Sequence, residues 1–198
     1  YGCRVLGLTL SKEQLAWARQ RAEQGGWADS ADFELCDYRD VRGSYDHIVS
    51  IEMMEAVGER FWPGYFAQIR DRLKPGGSAV VQTITIADAL FPSYRKGTDF
   101  IQRYVFPGGM LPSPGVVRRQ AAAAGLAVSG DLAFGADYAE TLVHWHRRFE
   151  AALPAVRELG YDERFVRLWR FYLAYCEAGF RAGSVDVHQF AFRHASAG

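Results

Sequence analysis

The sequence predicts an α/β fold of the doubly wound, Rossmann-like kind, and three observations carry that prediction. Short apolar runs at 5–8, 33–35, 45–51 and 78–86 alternate with longer segments of helical period. Strands and helices taken in turn at this spacing imply βαβ units with right-handed crossovers and a sheet covered on both faces. Polar turns follow the first two runs, and a carboxylate, Glu55, lies just past the third, in Ser50-Ile51-Glu52-Met53-Met54-Glu55-Ala56-Val57-Gly58. Open α/β sheets bind their ligands at those carboxyl ends.

Each element has a local reason. Residues 5–8 form a short apolar strand, after which Ser11 caps a helix over 11–24, with Gln14 placed to reach back as in a capping box. Gly25 and Gly26 stop it. Residues 33–35 and 45–51 are the next strands. Phe61, Trp62, Tyr65 and Phe66 fall at largely helical spacing within 59–73, and Lys74-Pro75-Gly76-Gly77 ends that helix. The Val-, Ile- and Thr-rich run 78–86 is the fourth strand. Residues 87–114 carry little strand pattern, and an insert of that length in a compact domain is usually a lid or binding element. Beyond it the pattern predicts a helix over 116–124, an edge-proximal strand over 126–134, helices over 139–152 and 163–181, and a final antiparallel strand over 185–192.

Composition narrows the function. With 198 residues, 49% of them hydrophobic, the chain can bury a full core and is expected to be a single domain over 1–198. Its 23 basic and 23 acidic residues cancel, so bulk charge offers no surface for a polyanion and nucleic acid is excluded as the expected partner. Cys3, Cys36 and Cys176 are too few and too scattered for a disulfide framework, which fits a reducing cytoplasm. No apolar run approaches the roughly 18 residues of a membrane span, and no signal-peptide pattern opens the chain. His144 and His146 stand two apart on a helix and point in different directions, so no metal site is expected. The start, Tyr1-Gly2-Cys3-Arg4-Val5, lacks an initiator Met and enters a strand almost at once, which reads as a cut chain.

Three segments carry a family resemblance: the Glu55 motif quoted above, Thr9-Leu10-Ser11-Lys12-Glu13-Gln14, and Tyr104-Val105-Phe106-Pro107-Gly108-Gly109. Together they resemble the cyclopropane-fatty-acid and mycolic-acid cyclopropane synthases, which are S-adenosylmethionine-dependent class I methyltransferases. The resemblance implies methyl transfer to the double bond of unsaturated fatty-acyl chains of phospholipids at a membrane surface, giving a cyclopropane or a methyl branch. It also implies a cytoplasmic protein with peripheral contact at the inner membrane face, and leaves a homodimer open. The family's first strand and its glycine-rich loop do not occur in these residues, so the chain is expected to be a partial methyltransferase domain whose insert at 87–114 covers substrate.

For the cofactor, the resemblance places S-adenosylmethionine against Thr9, Leu10, Ser11 and Gln14, with Ile51 as a further contact. The same stretch also reads as a plain helix cap. Asp37 can accept from an adenine amino group and Tyr38 can stack on the purine, although the pair also reads as an ordinary polar turn in which Arg39 and Asp40 form a surface ion pair. Glu55 matches the family's active-site glutamate, which helps hold a bicarbonate ion as base for ring closure. Gln82 stands where familiar relatives have a histidine, the amide of Ile84 is the neighbouring donor, and Tyr138 supplies the hydroxyl. An amide can bond an anion but cannot change charge near neutral pH as imidazole can. Glu52 reads as a supporting carboxylate. Tyr104 and Phe106 are the expected pocket aromatics, while Phe61, Tyr65, Trp145, Phe149, Trp169, Phe171 and Tyr172 read mainly as core. Arg147, Arg148, Arg164, Arg167 and Arg170 read as solvated helix faces, with anionic headgroups as the sharper reading. Two alternatives stay open: a relative acting on an amine, which Gln82 permits, and a non-catalytic binding remnant.

Overall fold

A computed structural model describes residues 2–195, so that Tyr1 and residues 196–198 of the expected domain lie outside the described residues. The chain divides into two units, one running to Ser44 and the other starting at Tyr45.

In the first unit, strands β1 (Val5–Thr9) and β2 (Ala31–Leu35) pair in parallel and helix α1 (Lys12–Gly25) makes the crossover. Ser11 caps α1 as predicted, its hydroxyl accepting from Gln14 N at 3.2 Å, a contact worth about 1 kcal/mol. The reciprocal half of the expected capping box is replaced. Thr9 Oγ1 already accepts from Ser11 N at 3.1 Å, and Gln14 Oε1 accepts from the Thr9 hydroxyl at 2.7 Å instead. Gly26, at φ +71°, ends the helix in the left-handed conformation that glycine adopts without strain.

The second unit begins with β3 (Tyr45–Ile51), helix α2 (Met54–Val57), a 3-10 turn (Glu59–Phe61) and helix α3 (Trp62–Arg72), which leads directly into β4 (Leu73–Ile86). The Lys74-Pro75-Gly76-Gly77 run, expected as a helix stop, is already strand. A Cβ on Gly77 would lie 2.6 Å from Asp46 O, so only glycine lets β4 approach β3 there. Short helices α4 (Phe91–Tyr94) and α5 (Phe100–Tyr104) occupy the insert, followed by α6 (Pro114–Ala123) and strand β5 (Leu126–Ala133). Helices α7 (Gly135–Ala151), α8 (Leu153–Glu158) and α9 (Glu163–Arg181) precede the last strand, β6 (Val185–His194). The strand order is β3-β4-β6-β5, with β3 and β4 parallel and β6 antiparallel to both neighbours.

Alternation along β4 separates two faces. Ala79, Val81, Thr83 and Thr85 are buried, and with Phe190 and Phe192 of β6 they sit on the side of Trp62, Tyr65 and Phe66; the Phe66 and Phe192 rings lie 5.8 Å apart. Burying each such large apolar side chain stabilises the fold by about 1.5–3 kcal/mol. Gln82 and Ile84 project to the other face, opposite Gln189 and Val187 of β6. There Val187 packs with Ala139 and Leu142 of α7 and Leu173 and Phe180 of α9. Of the aromatics expected in the core, Phe61, Trp145 and Phe171 are exposed.

Helix α7 starts earlier than its sequence pattern suggests. Gly135 N donates to Asp186 Oδ1 on β6 at 2.7 Å, a cap from a distant segment, and Asp137 falls inside the first turn.

Candidate active site

Between β4, the insert and helix α9 lies a cavity of about 840 Å³. Its walls are mostly apolar, with Ile84, Ile86, Ile101, Met110, Leu111 and Phe180 prominent, and Tyr94, Tyr172 and Tyr175 add hydroxyl groups. Three carboxylates line it: Glu52 and Glu55, three residues apart just past the end of β3, and Asp99 at the start of α5.

Glu55 reaches the cavity from the first turn of α2, which starts three residues after β3 ends. Its Oε1 accepts from Ile84 N at 2.6 Å. Its Oε2 is buried with no hydrogen-bond partner. Burial pushes the Glu55 carboxyl above its usual range, against the Ile84 amide, which favours the charged form, and the neighbouring Glu52 charge raises it further. The insert is tied to the same residue, because Met110 N donates to Glu55 O at 2.9 Å.

Glu52 stands at a backbone position that side chains rarely take, with φ of +51°; for a residue other than glycine that conformation costs about 1–2 kcal/mol. Its amide donates to Gln82 O at 2.8 Å, which continues the β3–β4 ladder by one residue. Its side chain is held at both oxygens: Gln82 Nε2 donates to Oε1 at 2.9 Å, and the Tyr138 hydroxyl donates to Oε2 at 3.2 Å. Gln82 is fixed in turn, since its Oε1 accepts from Gln189 Nε2 at 2.9 Å. Tyr138 sits in the first turn of α7, its ring 4.9 Å from that of Phe180, and burial with the Glu52 charge pushes its phenol well above the usual range.

The structure thus sets Glu55 against the Ile84 amide, and sets Gln82 and Tyr138 against Glu52, a residue read as merely supporting. Gln82 and Tyr138 do not line the cavity; Glu52 stands in front of them. The donors that the resemblance assigned to bicarbonate already serve the chain's own carboxylates, Ile84 N serving Glu55 and the other two serving Glu52. A further anion there would face two carboxylates, and these residues do not fit it.

Phe106 lines the cavity as predicted, at 57% exposure, so it stands at an opening to the surface. Tyr104 does not line it. Phe100 and Tyr104 are one helical turn apart on α5, their rings lie 5.5 Å apart in a tilted contact, and Tyr104 turns to solvent with the Arg103 guanidinium over it. Helix α5 is locked by a capping box in which Asp99 and Gln102 exchange side-chain-to-backbone bonds, and Gln102 Nε2 also donates to Gly109 O at 2.9 Å. Tyr172 and Cys176 of α9, read only as core or as a lone thiol, both line the cavity; burial pushes them up to about 12 and about 11. Their spacing of four on a helix was the available signal.

In the first unit, the ends of β1 and β2 are joined by Cys36 N donating to Thr9 O at 3.1 Å, so Thr9, Leu10 and Ser11 lie beside Asp37 and Tyr38. Asp37 pairs with Arg39, not Asp40 with Arg39: the guanidinium bonds both carboxylate oxygens, and this side-chain hydrogen bonding holds the Asp37 carboxyl below the usual range. Leu10 is 73% exposed and Tyr38 is half-buried. An ionised acceptor beside apolar and aromatic surface at the carboxyl ends of parallel strands suits a nucleoside, so these residues fit S-adenosylmethionine. In the second unit Ile51, the last residue of β3, is exposed.

No group of three or more His, Cys, Asp or Glu side chains able to hold a metal ion occurs among the described residues, and no helix there is long and apolar enough to cross a membrane. The Arg170 guanidinium on α9 forms a two-pronged pair with Glu150 of α7.

Known proteins resemble this chain in sequence and in fold. Over 190 residues, 96% of this chain, it is 43% identical to a tuberculostearic acid methyltransferase of Mycobacterium tuberculosis and covers 44% of that protein. Over 197 residues, 97% of this chain, it is 36% identical to the cyclopropane-fatty-acyl-phospholipid synthase of Escherichia coli and covers 48% of that protein. The chain therefore spans about half the length of the curated relatives it matches. The crystal structure of a mycolic acid cyclopropane synthase complexed with SAH and CTAB superposes with a TM-score of 0.88 at 29% identity, over 97% of this chain and 70% of that one. The fold is therefore that of the class I methyltransferases. Residues 1–190 match the family model described as mycolic acid cyclopropane synthetase, and the chain belongs to that family.

Proposed function

We propose that the protein transfers a methyl group from S-adenosylmethionine to the double bond of an unsaturated fatty-acyl chain carried by a phospholipid, giving a cyclopropane or a methyl-branched product. The observation that carries this reading is the mostly apolar cavity of about 840 Å³ with two adjacent carboxylates, Glu52 and Glu55, on its wall. Such a cavity suits an aliphatic chain, and paired carboxylates suit a reaction that passes through positive charge and ends in proton loss.

When bound, S-adenosylmethionine supplies an electrophilic sulfonium methyl. Thr9, Leu10, Ser11, Gln14, Asp37 and Tyr38 are the residues of the first unit that would hold it; for the second unit the resemblance names Ile51. The chain's own residues do the rest. The insert walls, with Ile101, Val105, Phe106, Met110 and Leu111, exclude water and cover the acyl chain. The Phe106, Tyr172 and Phe180 rings at the cavity wall stabilise positive charge on the alkene carbons by about 0.5–2 kcal/mol each. Glu55, buried and unpartnered at one oxygen, stabilises the same charge electrostatically.

This reading treats residues 1–198 as one partial methyltransferase domain acting in the cytoplasm, at the inner face of a membrane, with a homodimer left open. The test is to incubate the full-length protein with methyl-labelled S-adenosylmethionine and vesicles of unsaturated phospholipid, with saturated phospholipid and a small amine in parallel. Label in the unsaturated acyl chain alone is expected. Label on the amine, or none on any lipid, overturns the reading.

A further inference from the structure

We propose, resting on the methyl-transfer reading above, that Glu52 is a catalytic residue whose carboxylate stands in place of a bicarbonate ion and takes the proton lost from the methylated acyl chain. Three independent observations converge on it. Glu52 lines the cavity while Gln82 and Tyr138 do not, so those two meet the reaction space only through its carboxylate. Each of its oxygens accepts from a neutral donor, Gln82 Nε2 at 2.9 Å and Tyr138 Oη at 3.2 Å, the grip an oxyanion in that position would need. Its backbone is held at φ +51° where glycine would rest without strain, and strain kept at a cavity wall marks a position where the side chain matters.

The chemistry balances with no added base. The alkene's π pair bonds the methyl carbon to one alkene carbon while the methyl's bond to sulfur breaks and its pair leaves on the neutral thioether, so that the neighbouring alkene carbon is left cationic. A C–H bond of the added methyl then breaks, its electron pair closes the third bond of the ring, and the proton passes to a Glu52 oxygen. If the broken C–H bond is instead on the chain carbon that received the methyl, the pair forms a C=C bond and the same carboxylate takes the proton. The Glu52 acid then returns its proton to water. Gln82, Gln189 and Tyr138 are positioning residues that hold the carboxylate in line.

The test compares wild type, Glu52→Gln and Glu52→Gly in the full-length protein, in degassed buffer with and without added bicarbonate. Two readouts are used: methyl transfer to unsaturated phospholipid, and binding of carbon-13 bicarbonate followed by NMR. Glu52→Gly suits the purpose because it accepts the positive φ and opens a space between Gln82 and Tyr138. Wild type is expected to be indifferent to bicarbonate and to bind none. Glu52→Gln should lose about 100-fold in turnover under both conditions, and Glu52→Gly should be equally poor in degassed buffer, bind bicarbonate and recover at least tenfold when it is added. Bicarbonate binding by wild type, undiminished turnover in Glu52→Gln, or Glu52→Gly that neither binds nor responds to bicarbonate would each overturn the proposal. If wild type transfers no methyl group to acyl chains, the functional reading fails, while the binding readout still decides whether Glu52 fills the anion position.

Discussion

Tyr138 and Glu52, 86 residues apart in the chain, meet through a 3.2 Å hydrogen bond in which the phenol donates to the carboxylate. That bond ties the first turn of α7 to the residue after β3 and holds the Glu52 side chain at the cavity wall. Tyr138→Phe removes the donor and leaves the ring packing on Phe180 and Trp145. A stability loss of about 0.5–1.5 kcal/mol is expected from chemical denaturation, together with a clear fall in kcat at nearly unchanged lipid KM. An unchanged kcat would show that Glu52 does not need this partner.

Gln82 is held on both sides of its amide, donating to Glu52 and accepting from Gln189. Gln82→Leu strands both partners in a part-buried setting and should cost about 1–3 kcal/mol. Gln82→His can keep a donor toward Glu52 and should retain most activity. Equal stability of the Leu and Gln forms in urea titrations would mean the pair contributes nothing.

Glu55→Gln tests the buried carboxylate. Turnover should fall by about 100-fold with cofactor affinity nearly unchanged; a large loss of affinity, measured calorimetrically, would move Glu55 into the cofactor site.

The same variant makes a pH prediction. Burial raises the folded-state Glu55 carboxyl above its ordinary value near 4.5, so the stability tied to its neutral form is complete below that value and is lost as pH rises through the raised one. Glu55→Gln removes this loss. Its urea midpoint should match wild type in acid and exceed it increasingly toward neutral pH, and a constant difference across that range would refute the assignment.

Helix α7 offers a test of the scaffold. Asp186→Ala removes the acceptor for Gly135 N and should cost about 1 kcal/mol. Gly135→Ala would bring a Cβ to 2.5 Å from Asp186 Oδ1 and should cost more. Both should lower kcat through Tyr138. Thermal melts and kinetics on the two variants check this.

Much of the fold is legible in the sequence because its signals are local. The cap at Ser11, the stop at Gly26 and the period-two run that becomes β6 are each set by residues within one turn or one strand. The insert could be located but not folded, since α4 and α5 are shorter than an independent helix and depend on the Asp99–Gln102 capping box and contacts with α9. Phe106 reads as a pocket residue, Glu55 as an active-site carboxylate and Ile84 as a neighbouring donor, and all three stand at the cavity wall. Glu52 was not legible, because its importance comes from Gln82 and Tyr138, which reach it from two distant elements, and from a backbone angle that no local pattern announces. Tyr104 misled because aromatic character says nothing about which side of α5 faces the cavity; Ile101 and Gln102 take that side, and Tyr104 packs beside Phe100.

The most direct measurement is mass spectrometry of total lipids from cells expressing the full-length protein, wild type beside Glu55→Gln. Wild type should convert unsaturated phospholipid acyl chains into species heavier by one CH₂, with Glu55→Gln close to cells lacking the protein. Unsaturated chains left unchanged by an expressed, folded wild type would contradict the account.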